Sequence, residues 1–138
     1  MTTEIKDLSL ERLGAAFGTV AYAKFLGLEM CEVEGGQMAI CLEVRDELKQ
    51  NHGVIHGGAI ASLIDTASAF AIIALLQENE KVTTTDLTIH YLRPVISGRM
   101  VALAKILRAG RRRFVVSVEV KNNSALVATA ITGYVRIG

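Results

Sequence analysis

Asp65 is the one charged residue in the run Ala59 to Leu76, where every other residue is apolar or small. A carboxylate inside a helix of that composition costs several kcal/mol to desolvate unless something compensates it. Just ahead of the run stands Asn51-His52-Gly53-Val54-Ile55-His56-Gly57-Gly58. A Gly-Gly step at a helix start leaves backbone N–H groups free beside an unhindered approach. Donors that can hold an oxyanion, together with a lone buried carboxylate, suit the transfer of an acyl group to water.

Other residues invite chemistry less. His56, between an apolar residue and two glycines, is more often a structural hydrogen-bonder than a base, and His52 and His90 offer less still. The Cys, His and Asp spacings resemble no metal site, and there is no Gly-x-Ser-x-Gly setting for a nucleophilic serine. Arg111-Arg112-Arg113 reads either as a solvated hairpin or as a cradle for phosphate. With a net charge of +1 and no aromatic interleaving, nucleic acid is not indicated as a partner. Met30, Met38 and Met100 read as core fillers.

These residues need a scaffold. Leu8, Leu10, Leu13, Ala16 and Phe17 fit a short amphipathic helix, and Val20 to Leu26 another turn or two. Leu28 to Val33 reads as extended, and a two-residue turn at Gly35-Gly36 leads into an alternating strand through Met38, Ile40, Leu42 and Val44. In that register Cys31 faces Ile40, so Cys31 and Cys41 point to opposite faces and a disulfide is not expected. Free thiols would fit a reducing cytoplasm. Arg45 to Ile55 reads as a loop. The long helix is expected from about Gly57 to Gln77, apolar nearly all round and so buried on most sides. Strands follow at Val82 to Leu92, Val101 to Leu107, Phe114 to Val120 and Leu126 to Val135, with short connections that favour antiparallel neighbours.

The expected architecture is α+β, a curved antiparallel sheet of about six strands wrapped around one long central helix. One domain is expected over residues 1–138, with an N-terminal helical segment at about 8–25 and a core at about 26–136. The N-terminus lacks a basic stretch followed by an apolar one, so no secretory signal is read. The run 59–76 matches a membrane span in length, but its Ala, Ser, Thr and Asp65 make it a buried core helix. A cytoplasmic protein is expected, with no membrane partner.

That order of elements resembles the hotdog-fold acyl-CoA thioesterases of the phenylacetic-acid-degradation (PaaI) type, over roughly residues 25–136. The sharpest match is His56-Gly57-Gly58 followed by Ile64-Asp65-Thr66-Ala67. A second is Thr84-Thr85-Asp86-Leu87-Thr88-Ile89-His90-Tyr91-Leu92-Arg93-Pro94. The resemblance implies that Asp65 acts as general base or nucleophile and that the Gly57 N–H polarises the thioester carbonyl. It implies that Thr84 helps place water. Many members carry Asn six residues before the motif His; here that position is Gln50, with Asn51 one later. A branch acting on hydroxybenzoyl-type thioesters has Gln there but pairs it with Glu. Gln50 and Asn51 both stand as the polar partner. His56, Gly58, Arg93, Arg111, Arg112 and Arg113 stand as substrate-binding candidates.

The implied activity is hydrolysis of a small aromatic or short- to medium-chain acyl-CoA, with no metal or redox cofactor and with CoA arriving as part of the substrate. A non-catalytic acyl-CoA-sensing module on the same fold is the alternative. Gly57 and Asp65 are eight residues apart, which is about 12 Å along a helix. One copy therefore cannot easily bring both to one carbonyl. A homodimer with shared sites is expected, and the resemblance implies that it often pairs again into a tetramer.

Overall fold

The computed structural model describes residues 11, 13–33 and 35–138. Leu8 and Leu10 lie outside them. Residues 13–18 are helical, and Phe17 packs on Phe70 with ring centroids 5.0 Å apart. A short helix, Ala21–Leu26, closes on Gly27 in the left-handed conformation that glycine favours.

The central helix spans Gly57–Ile73. It ends four residues before Gln77 because Leu75 and Leu76 bond back three residues, to Ile72 and Ile73, in a tighter turn. That turn carries Leu76 into the core. Leu63, Ile64 and Ile72 are fully buried. One side stays half-open, at Ala61, Ser62, Asp65, Thr66 and Ala69.

Around it curves one antiparallel sheet of β1 (Glu29–Glu32), β2 (Met38–Glu43), β3 (Lys81–Tyr91), β4 (Arg99–Ala109), β5 (Arg113–Asn122) and β6 (Ala125–Ile137). The order across it is β1-β2-β4-β5-β6-β3. This is the α+β hotdog arrangement. Asn123 and Ser124 turn β5 into β6 with both φ angles positive. The expectation that short connections join neighbours fails at one place. β3 and β4 are consecutive yet lie three strands apart. The chain between them crosses beside the helix start, where Val95 is fully buried and its carbonyl accepts from the Ile55 N–H at 2.8 Å. β3 thereby becomes the sheet edge beyond β6. Among the described residues no helix is long and apolar enough to cross a membrane.

The first hairpin departs from the sequence reading. The Val33 N–H donates to the Gln37 carbonyl at 2.9 Å, so three residues, not two, make the connection. Met30 then faces Ile40 and Cys31 faces Ala39. The core decides this register: Met30, Met38 and Ile40 must share the face that meets the helix. The one-residue slip puts Cys31 and Cys41 on the same face, with Cα atoms 6.2 Å apart, and they are joined as a disulfide. The inference of free thiols is thus corrected, and the argument from them to a reducing compartment falls.

The bridge closes a loop of sequence separation 10. Removing it as Cys31→Ala/Cys41→Ala is expected to lower stability by about 2–3 kcal/mol in denaturant unfolding, from the loop-closure entropy of a ring this small. Alkylation of the unfolded protein without reductant, read by intact mass, should label neither cysteine. Two labels would show free thiols.

Candidate active site

Asp65 meets the sheet through two hydroxyls. Thr84 on β3 and Tyr134 on β6 are directly opposed in the ladder, and both point to the helix. Thr84 Oγ1 donates to Asp65 Oδ1 at 2.8 Å. The Tyr134 hydroxyl makes a short hydrogen bond to the same oxygen and lies 2.7 Å from the Asp65 backbone carbonyl. Burial, then the hydrogen bond and charge of Asp65, push the Tyr134 phenol far above its ordinary range. It is therefore a protonated donor at any working pH. The carboxylate is compensated by neutral donors, since no ion pair among the described residues includes it. Beside it a second polar pair is fully buried, with Thr132 Oγ1 2.9 Å from Ser68 Oγ.

Directly after Thr84 the ladder slips. Thr85 is the extra residue, and Asp86 faces Gly133. The Asp86 carboxylate occupies the space that a Cβ on Gly133 would fill, and it accepts from Thr85 Oγ1 at 2.7 Å. Gly133 precedes Tyr134, so the two address opposite faces of the sheet. Asp86 is thereby kept away from Asp65.

At the helix start, His56 is the N-cap and its Nδ1 accepts from the Gly58 N–H at 2.7 Å. The Gly58 N–H is thus taken up by the cap. The Gly57 N–H belongs to the first helical residue, which has no intrahelical acceptor, and none is found among the described residues. The Gly57 carbonyl accepts from the Tyr91 hydroxyl at 2.8 Å. A Cβ on Gly57 would sit 3.3 Å from the Tyr91 ring, and one on Gly58 2.9 Å from His56 Nδ1. Both glycines thus have packing reasons as well as chemical ones.

Gly57 opens into a groove of about 310 Å³ whose walls include Gln50, Ile60, Tyr91 and Arg93. Of the two polar candidates, Gln50 lines it, with Oε1 held by the His52 N–H at 2.9 Å. Asn51 is exposed and lies outside its walls. The Arg111 to Arg113 turn sits elsewhere. Arg113 pairs with Val135, which pairs with Thr83, so the turn lies at the Thr84 end of the sheet. The Arg136 side chain fixes it, donating from Nε to the Arg111 carbonyl at 2.8 Å. The candidates thus form two groups: Asp65 and Thr84 with the arginine turn near their end, and Gly57, Gln50 and Arg93 at the other end of β3. A separate cavity of about 160 Å³ on the far side of the helix, walled by Met30, Met38, Ile40 and Phe70, contains no candidate residue.

Two site residues were not identified from sequence. Tyr134 stood inside an alternating strand, where an aromatic residue reads as core. Tyr91 lay in the recognised strand motif but carried no role.

Residues 52–128 match the thioesterase superfamily. The chain belongs to that family. It is a thioester hydrolase. A protein of Escherichia coli named medium/long-chain acyl-CoA thioesterase YigI is 29% identical over 124 residues, covering 80% of each chain. The E. coli PaaI protein from the phenylacetic acid degradation operon superposes with a TM-score of 0.83 at 27% identity, covering 94% of each chain. The HI1161 thioesterase of Haemophilus influenzae gives 0.83 at 26% identity, covering 94% of this chain and 90% of that one.

In this thioesterase the observed contact of His56 is a helix cap. His56→Ala is expected to cost about 1 kcal/mol in equilibrium unfolding, the usual value of a lost N-cap, while kcat for thioester hydrolysis stays within a few-fold of wild type. A collapse of kcat with unchanged stability would instead place the imidazole in the chemistry.

Proposed function

We propose that this thioesterase hydrolyses acyl-CoA, with Asp65 as general base or nucleophile and the Gly57 N–H as oxyanion donor. The observation that carries the reading is the contrast between the middle of the helix and its start. At the middle, a carboxylate is held through Oδ1 alone; at the start, a backbone N–H is open to a groove. Either Asp65 takes a proton from water as that water attacks the thioester carbon, or the carboxylate attacks and water later opens the anhydride. Both routes place negative charge on the carbonyl oxygen, where a fixed N–H stabilises it. Collapse expels the CoA thiolate, which takes up a proton. This chemistry asks for no metal or redox cofactor. The YigI relative's name supports CoA thioesters as the class. The groove volume falls at the low end of small-molecule sites, which favours small aromatic or short- to medium-chain acyl groups. A panel of such acyl-CoAs, read by thiol release, tests the range.

The site is proposed to be shared in a homodimer. Eight residues of helix set Gly57 about 12 Å from Asp65 along the axis. β3 is an eleven-residue edge strand, and such an edge is a template for pairing. Two-fold pairing of β3 with a second copy, helix beside helix along the half-open side, brings Gly57 of one copy toward Asp65 of the other.

Asp65→Asn should fold normally and lose about 10²–10⁴ in kcat, as for a positioned base. Near-normal turnover would remove Asp65 from the mechanism. Mixing this variant with Gly57→Pro, which lacks the N–H but suits a first helical position, should restore activity. After random exchange of equal amounts about a quarter of wild-type activity is expected, since half the dimers are mixed and each holds one intact site. No recovery despite proven exchange would sink the shared-site reading.

The exposed Arg111, Arg112 and Arg113 are proposed to meet the CoA phosphates, with Arg93 at the groove. Binding remote from the reacting bond and equal in ground and transition states changes KM alone. Replacing the three arginines by Ala should therefore raise KM for acyl-CoA, leave kcat unchanged, and leave KM for a pantetheine thioester unchanged. An unaltered KM for acyl-CoA would return them to plain solvated surface.

A further inference from the structure

We propose that Tyr134 is a positioning residue: with Thr84 it holds Asp65 by Oδ1, leaves Oδ2 as the working oxygen, and shifts its own donation to the Asp65 carbonyl when the carboxylate becomes neutral. The proposal rests on the role given to Asp65 above.

The geometry carries it. Oδ1 receives both hydroxyls, from Thr84 and from Tyr134, while Oδ2 has no hydrogen-bond partner among the described residues. Two donors on one oxygen draw its lone pairs away from chemistry and fix the carboxyl plane. The Tyr134 hydroxyl has one proton and two acceptors in reach, Oδ1 and the Asp65 carbonyl at 2.7 Å. An ionised carboxylate is the stronger acceptor, so the proton goes to Oδ1 while Asp65 is charged. When Asp65 takes a proton, the carbonyl becomes the competitive acceptor. A rotation of one O–H bond makes the change, and no heavy atom needs to move. The ring cannot drift, because Tyr134 is 1% exposed and its strand is laddered on both sides.

Among the described residues no charged side chain is hydrogen-bonded or ion-paired to Asp65. From β3 the group facing Asp65 is Thr84. From β6 it is Tyr134, with Thr132 engaged by Ser68 of the helix itself. Asp86 lies against Gly133 on the opposite sheet face. Among the described residues, Tyr134 is the only titratable side chain hydrogen-bonded to Asp65.

The test compares wild type, Tyr134→Phe and Val118→Ala in the pH dependence of kcat/KM on one good acyl-CoA. Removing a donor from a carboxylate disfavours its charged form. In Tyr134→Phe the acid limb should therefore move up, and kcat should fall about tenfold from the lost positioning of the carboxylate, with KM within about twofold. Val118→Ala thins the core four ladder positions from Tyr134 and removes no hydroxyl, so it should lower the unfolding temperature and leave the limb in place. 3,5-Difluorotyrosine at position 134, a stronger donor with the same ring, should move the limb down. It keeps the test sound if Tyr134→Phe misfolds. Carboxyl-¹³C aspartate labelling, with Asp65→Asn to identify the signal, reads the same shifts without turnover. If the wild type hydrolyses no acyl-CoA, the hydrolytic reading fails and this titration still decides the coupling. An Asp65 titration that coincides in wild type, a folded Tyr134→Phe and the fluorinated protein would overturn the inference.

Discussion

The desolvation of one carboxylate constrains the rest of this structure. Asp65 sits midway along a helix whose neighbouring side chains can offer it nothing but Ser and Thr hydroxyls. Its compensation comes from the sheet, from Thr84 and Tyr134 acting as an opposed pair. That pair exists only because β3 lies beside β6. A β3 beside β4, as consecutive short-linked strands would suggest, would place Thr84 far from Tyr134. The connection through Val95 is what permits the arrangement, and it also shapes the groove at Gly57. Support for the acid and access for the substrate thus come from the same departure from simple strand succession.

The choice of hydroxyls over a cation has a chemical consequence. An arginine beside Asp65 would compensate its charge more strongly, but it would also weaken it as base or nucleophile and would need its own desolvation. Hydroxyl donors hold the carboxylate in place and leave it the net charge of the site. Among the described residues no cation at this end of the sheet forms an ion pair with Asp65. Arg136 pairs with Glu80, lies over the Phe114 ring and holds the arginine turn by its Arg111 carbonyl. Asp86, the nearby second acid, is steered to the other face by the bulge at Thr85 and the missing side chain of Gly133. The result is a lone negative charge with a defined orientation.

Much of this was legible in sequence because composition and spacing carry it directly. The apolar run interrupted by Asp65, the Gly-Gly step and the β-branched strands each mark an element, and their order marks the fold. The resemblance singled out Thr84 as a hydroxyl that helps place water, and its bond to Asp65 came only with the structure. What stayed hidden depends on register. A three-residue connection in place of a two-residue one turned Cys31 and Cys41 from opposite faces to one face, and only the packing of Met30 and Ile40 against the helix decides between them. Tyr134 was hidden for a related reason. Its hydroxyl matters only once β3 is known to be its neighbour, and no local pattern reports a pairing between strands some forty residues apart. The end of the long helix was overrun because apolar composition continues through Leu76 while the backbone has already tightened.

The helix is best understood as a spacer as well as a core element. Its first residue carries the open N–H and its ninth the acid. Under the shared-site reading each active site takes the helix start from one copy and the acid from the other, so the interval between them is a property of both sites at once. An inserted residue between Gly57 and Asp65 would lengthen that interval by about 1.5 Å and rotate the acid by about 100° about the axis. Asp65 would then turn away from Thr84 and Tyr134, and the loss would fall on both sites of the dimer together. Changes in the β1–β2 hairpin, on the far side of the helix, would leave that interval alone. The stretch Gly57 to Asp65 therefore tolerates substitution at its buried apolar positions more readily than any change of length.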